Sequence, residues 1–300
     1  MSQTNIEVIS QTHIDKKATT RSKLPKIIMR SIRYLVLTVI AIALLLPLVW
    51  TISASLKPSS EIFSVPIKWI PSEFKWDNYT RVLSIFPMFQ YSANTLIITS
   101  CAILGQVLSS VCVAYGFARF RHPFANVMFL LVLATMMIPG QVTMIPQFLM
   151  FKEFGWINTY LPLIVPNFFA AAINIFLLRQ FIMGIPKELD ESAKMDGCSS
   201  FGILTRIIAP MCKPIIITIM IWTFNANWND FMGPLIYLND PEKFTLQLGI
   251  YSLNAGQQGI TDYGMMFAAT LLSLIPTLLL FAVGQKYFMS GIKLGGALKG

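Results

Sequence analysis

The sequence predicts an all-α membrane protein of six transmembrane helices with both termini on the same side, and three observations predict it. Of 300 residues, 55% are apolar and only 12% are charged, whereas soluble globular chains carry about 25% charged residues. The mean hydropathy is +0.62, and a core that hid so much apolar surface would leave too few charges to solvate the outside. Third, the chain contains six apolar runs of about 20 residues, the length that crosses ~30 Å of hydrocarbon at ~1.5 Å per residue. These runs are near-continuous instead of alternating, and too long for barrel strands.

The runs lie at 35–56, 94–115, 127–147, 161–182, 215–237 and 264–285. Residues 1–34 are polar and mixed in charge, with Thr19, Thr20 and Pro25 interrupting any long pattern, and read as a solvated cytoplasmic tail. Five more spans follow 35–56, so it is expected to be a retained first helix and not a cleaved leader. The outer loop 57–93 holds the triplet Asn78-Tyr79-Thr80, a sequon short enough to arise by chance. Within 94–115, Gly105, Ser109, Ser110 and Ala114 suit close helix packing, and Tyr115, Phe117 and Phe120 read as interfacial anchors. The third and fourth runs are irregular at Pro139-Gly140-Gln141, Pro146, Pro166, Asn167 and Asn174. Broken helix at membrane depth is tolerated where it lines a wet path or is covered by protein, and a packing kink or a buried hydrogen bond accounts for each residue equally well. The core 94–285 includes a long cytoplasmic loop, 183–214, and ends in a cytoplasmic tail, 286–300.

Charge orients the chain. The N-terminal tail carries seven Lys and Arg, the second loop two, the fourth loop with its margins five and the C-terminal tail three, against six on the opposite side. Positive-inside then places both termini in the cytoplasm. Counting acids as well, the inner face is +11 and the outer face −2, which accounts for the formal +9. Cations spread along membrane margins, with no binding motif beside them, exclude nucleic acid as the partner.

Catalytic chemistry is missing. His13 and His122 have no neighbouring nucleophile or metal-ligand spacing, and Cys101, Cys112, Cys198 and Cys212 form no C-x-x-C pair. No Gly is followed by Lys, so the phosphate-cradling loop is absent and any ATP must be used by a partner. No metal or cofactor is expected on this chain. The polar patch of the fifth run stands out: Trp222, Asn225 and Asn229 share a helical face, with Asp230 beside them. An indole with carboxamides suits a sugar, the ring packing on C–H faces and the amides satisfying hydroxyls. Interhelical hydrogen-bonding glue is the equally weighted alternative.

The loop 183–214 has its own helix grammar. Pro186 suits a first helical position, Glu188, Asp190 and Glu191 complement the positive helix start, and Gly197 is placed to end the helix. Ser199 can cap a second short helix that Pro210 and Pro214 interrupt. Leu189 offers an apolar knob, and Ser192 and Ala193 leave room for close approach, so the pair is suited to a partner's groove.

Here the residues carry a resemblance. Glu191-Ser192-Ala193-Lys194-Met195-Asp196-Gly197, nine further residues and Ile207-Ile208-Ala209-Pro210 resemble the E-A-A-x-x-x-G-x9-I-x-L-P signature of permease subunits of ATP-binding-cassette importers. The departures, Ser192 and Ala209, are small or apolar. Ala114–Phe120, Met137–Pro146, Trp228–Phe231, Pro234-Leu235 and Gly291–Gly300 look like the carbohydrate branch, the MalG-like permeases of binding-protein-dependent sugar transport. The similarity spans nearly all of the chain from residue 35.

The resemblance implies the type I importer permease fold and a division of labour. A second, homologous permease would complete the path, two cytoplasmic ATPases would supply the stroke, and an extracellular binding protein would deliver the solute. The signature loop would be the coupling helix seated in an ATPase cleft, with Glu191 and Gly197 at the motif positions and Glu188, Leu189, Ser192, Ala193 and Asp196 beside them. Gly295, Gly296, Lys299 and Gly300 would be ATPase-contacting tail residues. The same architecture could import another solute such as glycerol 3-phosphate, and a receptor or scaffold is the reading from another class.

Overall fold

A computed structural model describes residues 23–254 and 262–297, with side chains over 28–253 and 262–285. The regular elements among the described residues are all helical. Helix α1 (Lys23–Ser55) begins inside the segment expected to be a solvated tail. Pro25 falls in its first turn, where the missing N–H breaks no hydrogen bond, and Ile28, Met29 and Ile32 continue the apolar shaft. Leu35 is 66% and Leu44 73% exposed, a surface that only lipid can solvate.

The segment after α1 is a built cap. Between α2 (Ser59–Ile62) and α3 (Asp77–Ser84), the buried Glu61 accepts from the Ser72 hydroxyl (2.7 Å) and pairs with Lys68 at 3.1 Å. The Ser72 hydroxyl, then Lys68, hold the Glu61 carboxyl below the usual carboxylate range. Burial pushes the Lys57 ammonium down; it donates to the Lys68 carbonyl and lies 4.4 Å from the Trp50 ring centroid. The Asn78 amide is buried and donates to the Ser55 and Lys57 carbonyls, so the sequon nitrogen is inaccessible to a glycosyl donor.

Arg81 of α3 meets Asp262 at 2.6 Å. Burial acts to raise the Asp262 carboxyl, but the Met265 N–H, Arg81 and the Ser59 hydroxyl outweigh it and leave it below its ordinary value. A carboxyl depressed in the folded state contributes stability that is full above its unfolded pKa and lost as pH falls through the folded one. Asp262→Asn should therefore flatten the loss of thermal stability below about pH 4. An acid limb identical to that of the parent protein would contradict the assignment.

The third expected span breaks. After α4 (Met88–Arg119), which at ~48 Å is longer than the hydrocarbon core, α5 (Ala125–Ala134) runs into a 3-10 turn. Helix α6 (Gly140–Glu153) then departs at 96°. Pro139 has no N–H to donate and forces Ile138 out of helical conformation, which is extended at ψ 114°. The fourth span joins α7 (Leu161–Ile164), a 3-10 turn and α8 (Ala172–Met183). Then come α9 (Glu188–Met195), α10 (Ser200–Met211) and α11 (Lys213–Trp228), the last two bent by 79°. Helix α11 stops at Trp228, short of the expected 237, and is followed by α12 (Met232–Tyr237), α13 (Leu246–Asn254) and α14 (Tyr263–Ala297). Among the described residues, four helices are long and apolar enough to cross a membrane, or up to six if each bent pair is one span.

Helix α4 packs on α8 and α11, α11 on α14, and α14 on α1. Gly105 lets the 3-10 turn before α8 approach α4, since a Cβ there would lie 2.7 Å from the Phe168 ring. Gln106 accepts from the Ala171 N–H and the Asn174 amide, so Asn174 is a buried packing contact. Tyr115, expected at the interface, is 6% exposed inside the cluster that joins α4, α8 and α10. Trp228 is equally committed to the core, donating to the Ser273 carbonyl at 3.0 Å and stacking on Phe224.

Candidate functional site

Two constellations emerge. The first joins the end of α4 to α9. Three acidic residues open α9, where the helix dipole favours them. A Schellman motif closes it: the Gly197 N–H donates to the Lys194 carbonyl at 3.0 Å and the Cys198 N–H to the Ala193 carbonyl at 2.9 Å. Gly197 has φ +80°, a conformation that disfavours any Cβ. Pro186 lies before the helix instead of at its first position, and the Ser199 hydroxyl caps α10 by accepting the Gly202 N–H.

Residues of α9 divide by their 100° spacing. Glu188, Leu189, Glu191, Ser192 and Met195 face outward, followed by exposed Asp196 and Gly197; Leu189 is 41% and Met195 88% exposed. The Ser192 hydroxyl donates to its own helix, to the Glu188 carbonyl. Ala193, expected to face a partner, instead packs inward with Ile182, Ile203 and Ile208. Asp190 points the same way and meets Arg119 of α4, Nε to Oδ2 2.6 Å, with side chains 10% and 5% exposed. Arg119 also donates to the Ile185 carbonyl at 3.0 Å. Arg179 of α8 donates to the Phe117 carbonyl and lies 4.2 Å from the Phe129 ring centroid. A buried ion pair binds the small helix to α4, and Arg179 ties α8 to the end of α4 beside it.

The second constellation is a cavity of about 390 Å³ where α6, α7 and α12 converge on the end of α11, at the low end of the ~300–1,000 Å³ of small-molecule sites. Its polar lining is Gln141, Gln147, Asn167, Asn227 and Asp230. The Asn227 and Asn167 amides donate to the Thr223 and Leu163 carbonyls, which leaves their oxygens as acceptors. Asp230 accepts the Gly233 N–H at 3.2 Å. No Lys or Arg belongs to the lining. Of the four residues expected to form a solute wall, Asp230 lines this cavity and Trp222, Asn225 and Asn229 do not. Asn225 and Asn229 share a face, as their spacing requires, but Asn229 donates to the Asn225 backbone and side-chain oxygens at 2.9 Å each. Asn227 lies about 200° around the helix from both. The break at Pro139 and the Asn167 turn mark the cavity in the sequence; Asn227 has no such local signal.

Gly295 and Gly296 fall within α14, and Lys299 and Gly300 lie outside the described residues.

A family profile described as "Binding-protein-dependent transport system inner membrane component" matches residues 106–293, more than half of the chain. The chain belongs to this family. As an ABC importer permease it is similar to the arabinooligosaccharides transport system permease protein AraQ of Bacillus subtilis, 35% identical over 84% of this chain and 90% of that one. It is also 28% identical to the sn-glycerol-3-phosphate transport system permease protein UgpE of Pectobacterium atrosepticum, over 86% and 94% of the two chains. A crystal structure of a bacterial ABC transporter involved in alginate import superposes with a TM-score of 0.78 at 23% identity, over 89% of this chain and 98% of that one. That likeness is one of fold.

Proposed function

We propose that this ABC importer permease carries a neutral, hydroxyl-rich solute, a sugar or oligosaccharide, and takes its stroke from ATPases through α9. In this reading the bent pairs each count as one span, giving six, with both termini and α9 in the cytoplasm. A second permease completes the path, two ATPases bind below, and an extracellular binding protein delivers the solute. Gly295, Gly296, Lys299 and Gly300 add contacts to the ATPases.

The observation that carries the reading is the two-sidedness of α9. Its inner face is bound to α4 by a desolvated ion pair, and its outer face presents an apolar knob, Leu189, ringed by Glu188, Glu191 and Ser192. A helix held in this way moves with the spans when a partner moves it. The amide and carboxylate lining of the cavity supports the solute class. An anionic solute such as glycerol 3-phosphate would meet Asp230 there with no cation beside it, which disfavours that alternative.

Gly197→Val tests the coupling role. Nothing lies within 4 Å of a Cβ at this position, so the cost is confined to the backbone, about 1–3 kcal/mol, and falls on the end of α9. Uptake should fall sharply, with ATP hydrolysis no longer responding to solute-loaded binding protein, while the helices still insert. Uptake at the parent rate would rule α9 out as the coupling element.

A further inference from the structure

A cleft of about 450 Å³ opens at the turn between α4 and α5, on the same end of the molecule as α9. Arg119, Arg121 and Lys187 line it with His122 and Asn126, and on their other side the same three cations border a pocket that Asp190 and Glu191 also line. The His122 Nδ1 accepts the Phe124 N–H at 3.2 Å, which makes Nε2 the ring's donor. Arg119 Nη1 has no hydrogen-bond partner among the described residues although its side chain is 5% exposed. That nitrogen is closed to solvent and its guanidinium is paired with Asp190 at 2.6 Å, so the exposed Arg121 and Lys187 are the cations that meet an anion in the cleft.

A second feature says which anion. Sharing Phe117, Phe120, His122 and Ala125 with the cleft is a groove of about 210 Å³ that continues up the shafts of α4 and α5 to Val113 and Met128. Its floor is Gly116, where a Cβ would meet nothing within 4 Å. Free phosphate has no use for such a groove, and an acidic protein segment would not be expected to follow an apolar shaft into the bilayer. We propose that the composite site holds one anionic phospholipid, its phosphate between Arg121 and Lys187 and one acyl chain in the groove. Cations where apolar helices leave the hydrocarbon are placed at headgroup depth. The inference rests on α4 and α5 being membrane spans, and is independent of which solute is carried or how α9 couples.

The test reads lipid occupancy, so that failure of the transport reading leaves its outcome intact. The full chain, purified in detergent, is offered phosphatidylglycerol and phosphatidylcholine with identical acyl chains, and retained lipid is measured by native mass spectrometry. Phosphatidylglycerol should be retained about tenfold or more over phosphatidylcholine. Arg121→Gln with Lys187→Gln, both exposed positions, should erase that preference. Gly116→Leu should lower retention of both lipids by filling the groove, and millimolar inorganic phosphate should not displace phosphatidylglycerol. Equal retention of the two lipids by the parent chain, or an unchanged preference in the double variant, would overturn the site. Displacement by phosphate alone, with Gly116→Leu silent, would assign the cleft to free phosphate and overturn the lipid. Displacement by an acidic peptide, with no headgroup preference, would assign it to a protein segment with the same consequence.

Discussion

Asp190→Ala should destabilise the junction of α4 and α9 by about 3–5 kcal/mol, because it leaves the Arg119 guanidinium buried without its counter-charge. At 10% and 5% side-chain exposure and 2.6 Å, the two groups have exchanged water for one another, and removing either leaves the other with the full desolvation cost. Removing both is a different experiment. Arg119→Met with Asp190→Leu replaces the pair by apolar groups of similar volume, and such replacements are often neutral or stabilising. The double variant should therefore recover most of the thermal stability that each single variant loses. If single and double variants lost the same amount, the ion pair would not be what holds α9 in place. The comparison also separates stability from coupling: a folded double variant whose uptake remains low would show that the orientation imposed by the charges matters beyond their energy.

Asn227→Leu should reduce uptake by roughly 5- to 150-fold, the effect of about 1–3 kcal/mol when a solute hydroxyl loses its acceptor in a desolvated site. The side chain lines the cavity, and its amide nitrogen is already held by the Thr223 carbonyl, so the change removes one acceptor and adds an apolar wall. Asn229→Leu is the control. Its amide bonds only within its own helix turn, and its loss should leave uptake within about twofold. The reverse ranking, Asn229 critical and Asn227 silent, would move the path to the opposite face of α11.

The difference between those two asparagines shows where sequence reading reaches its end. Spacing places Asn225 and Asn229 on one face of a helix, and the structure agrees. It cannot say which face meets a cavity, because that depends on where α6, α7 and α12 arrive. Trp222, 45% exposed, and Asn225 lie close to the cavity residues in sequence and outside the cavity in space. Similarly, Ala193 and Asp190 sit among outward-facing signature residues in the row, yet turn inward because α4 ends beneath them. No local rule pairs Arg119 with a residue 71 positions later; only the packing of α4 against α8 and the return of the chain through Ile185 does so. The runs 127–147 and 215–237 are interrupted in the structure at Pro139, where the sequence is already irregular, and after Trp228, where backbone and amide chemistry outweigh continuous hydropathy.

What the sequence by itself determined was the apolar surface that calls for lipid, the helical class and the local form of the signature loop, since each rests on local quantities: apolar run length, and a motif whose Gly197 has to adopt positive φ. Tertiary structure alone decided which polar groups face a cavity, which pair in a desolvated junction, and which cations gather beside an apolar groove. Those are relations between segments far apart in the chain. Their strength comes from the water that packing removes, and no window of sequence contains that information.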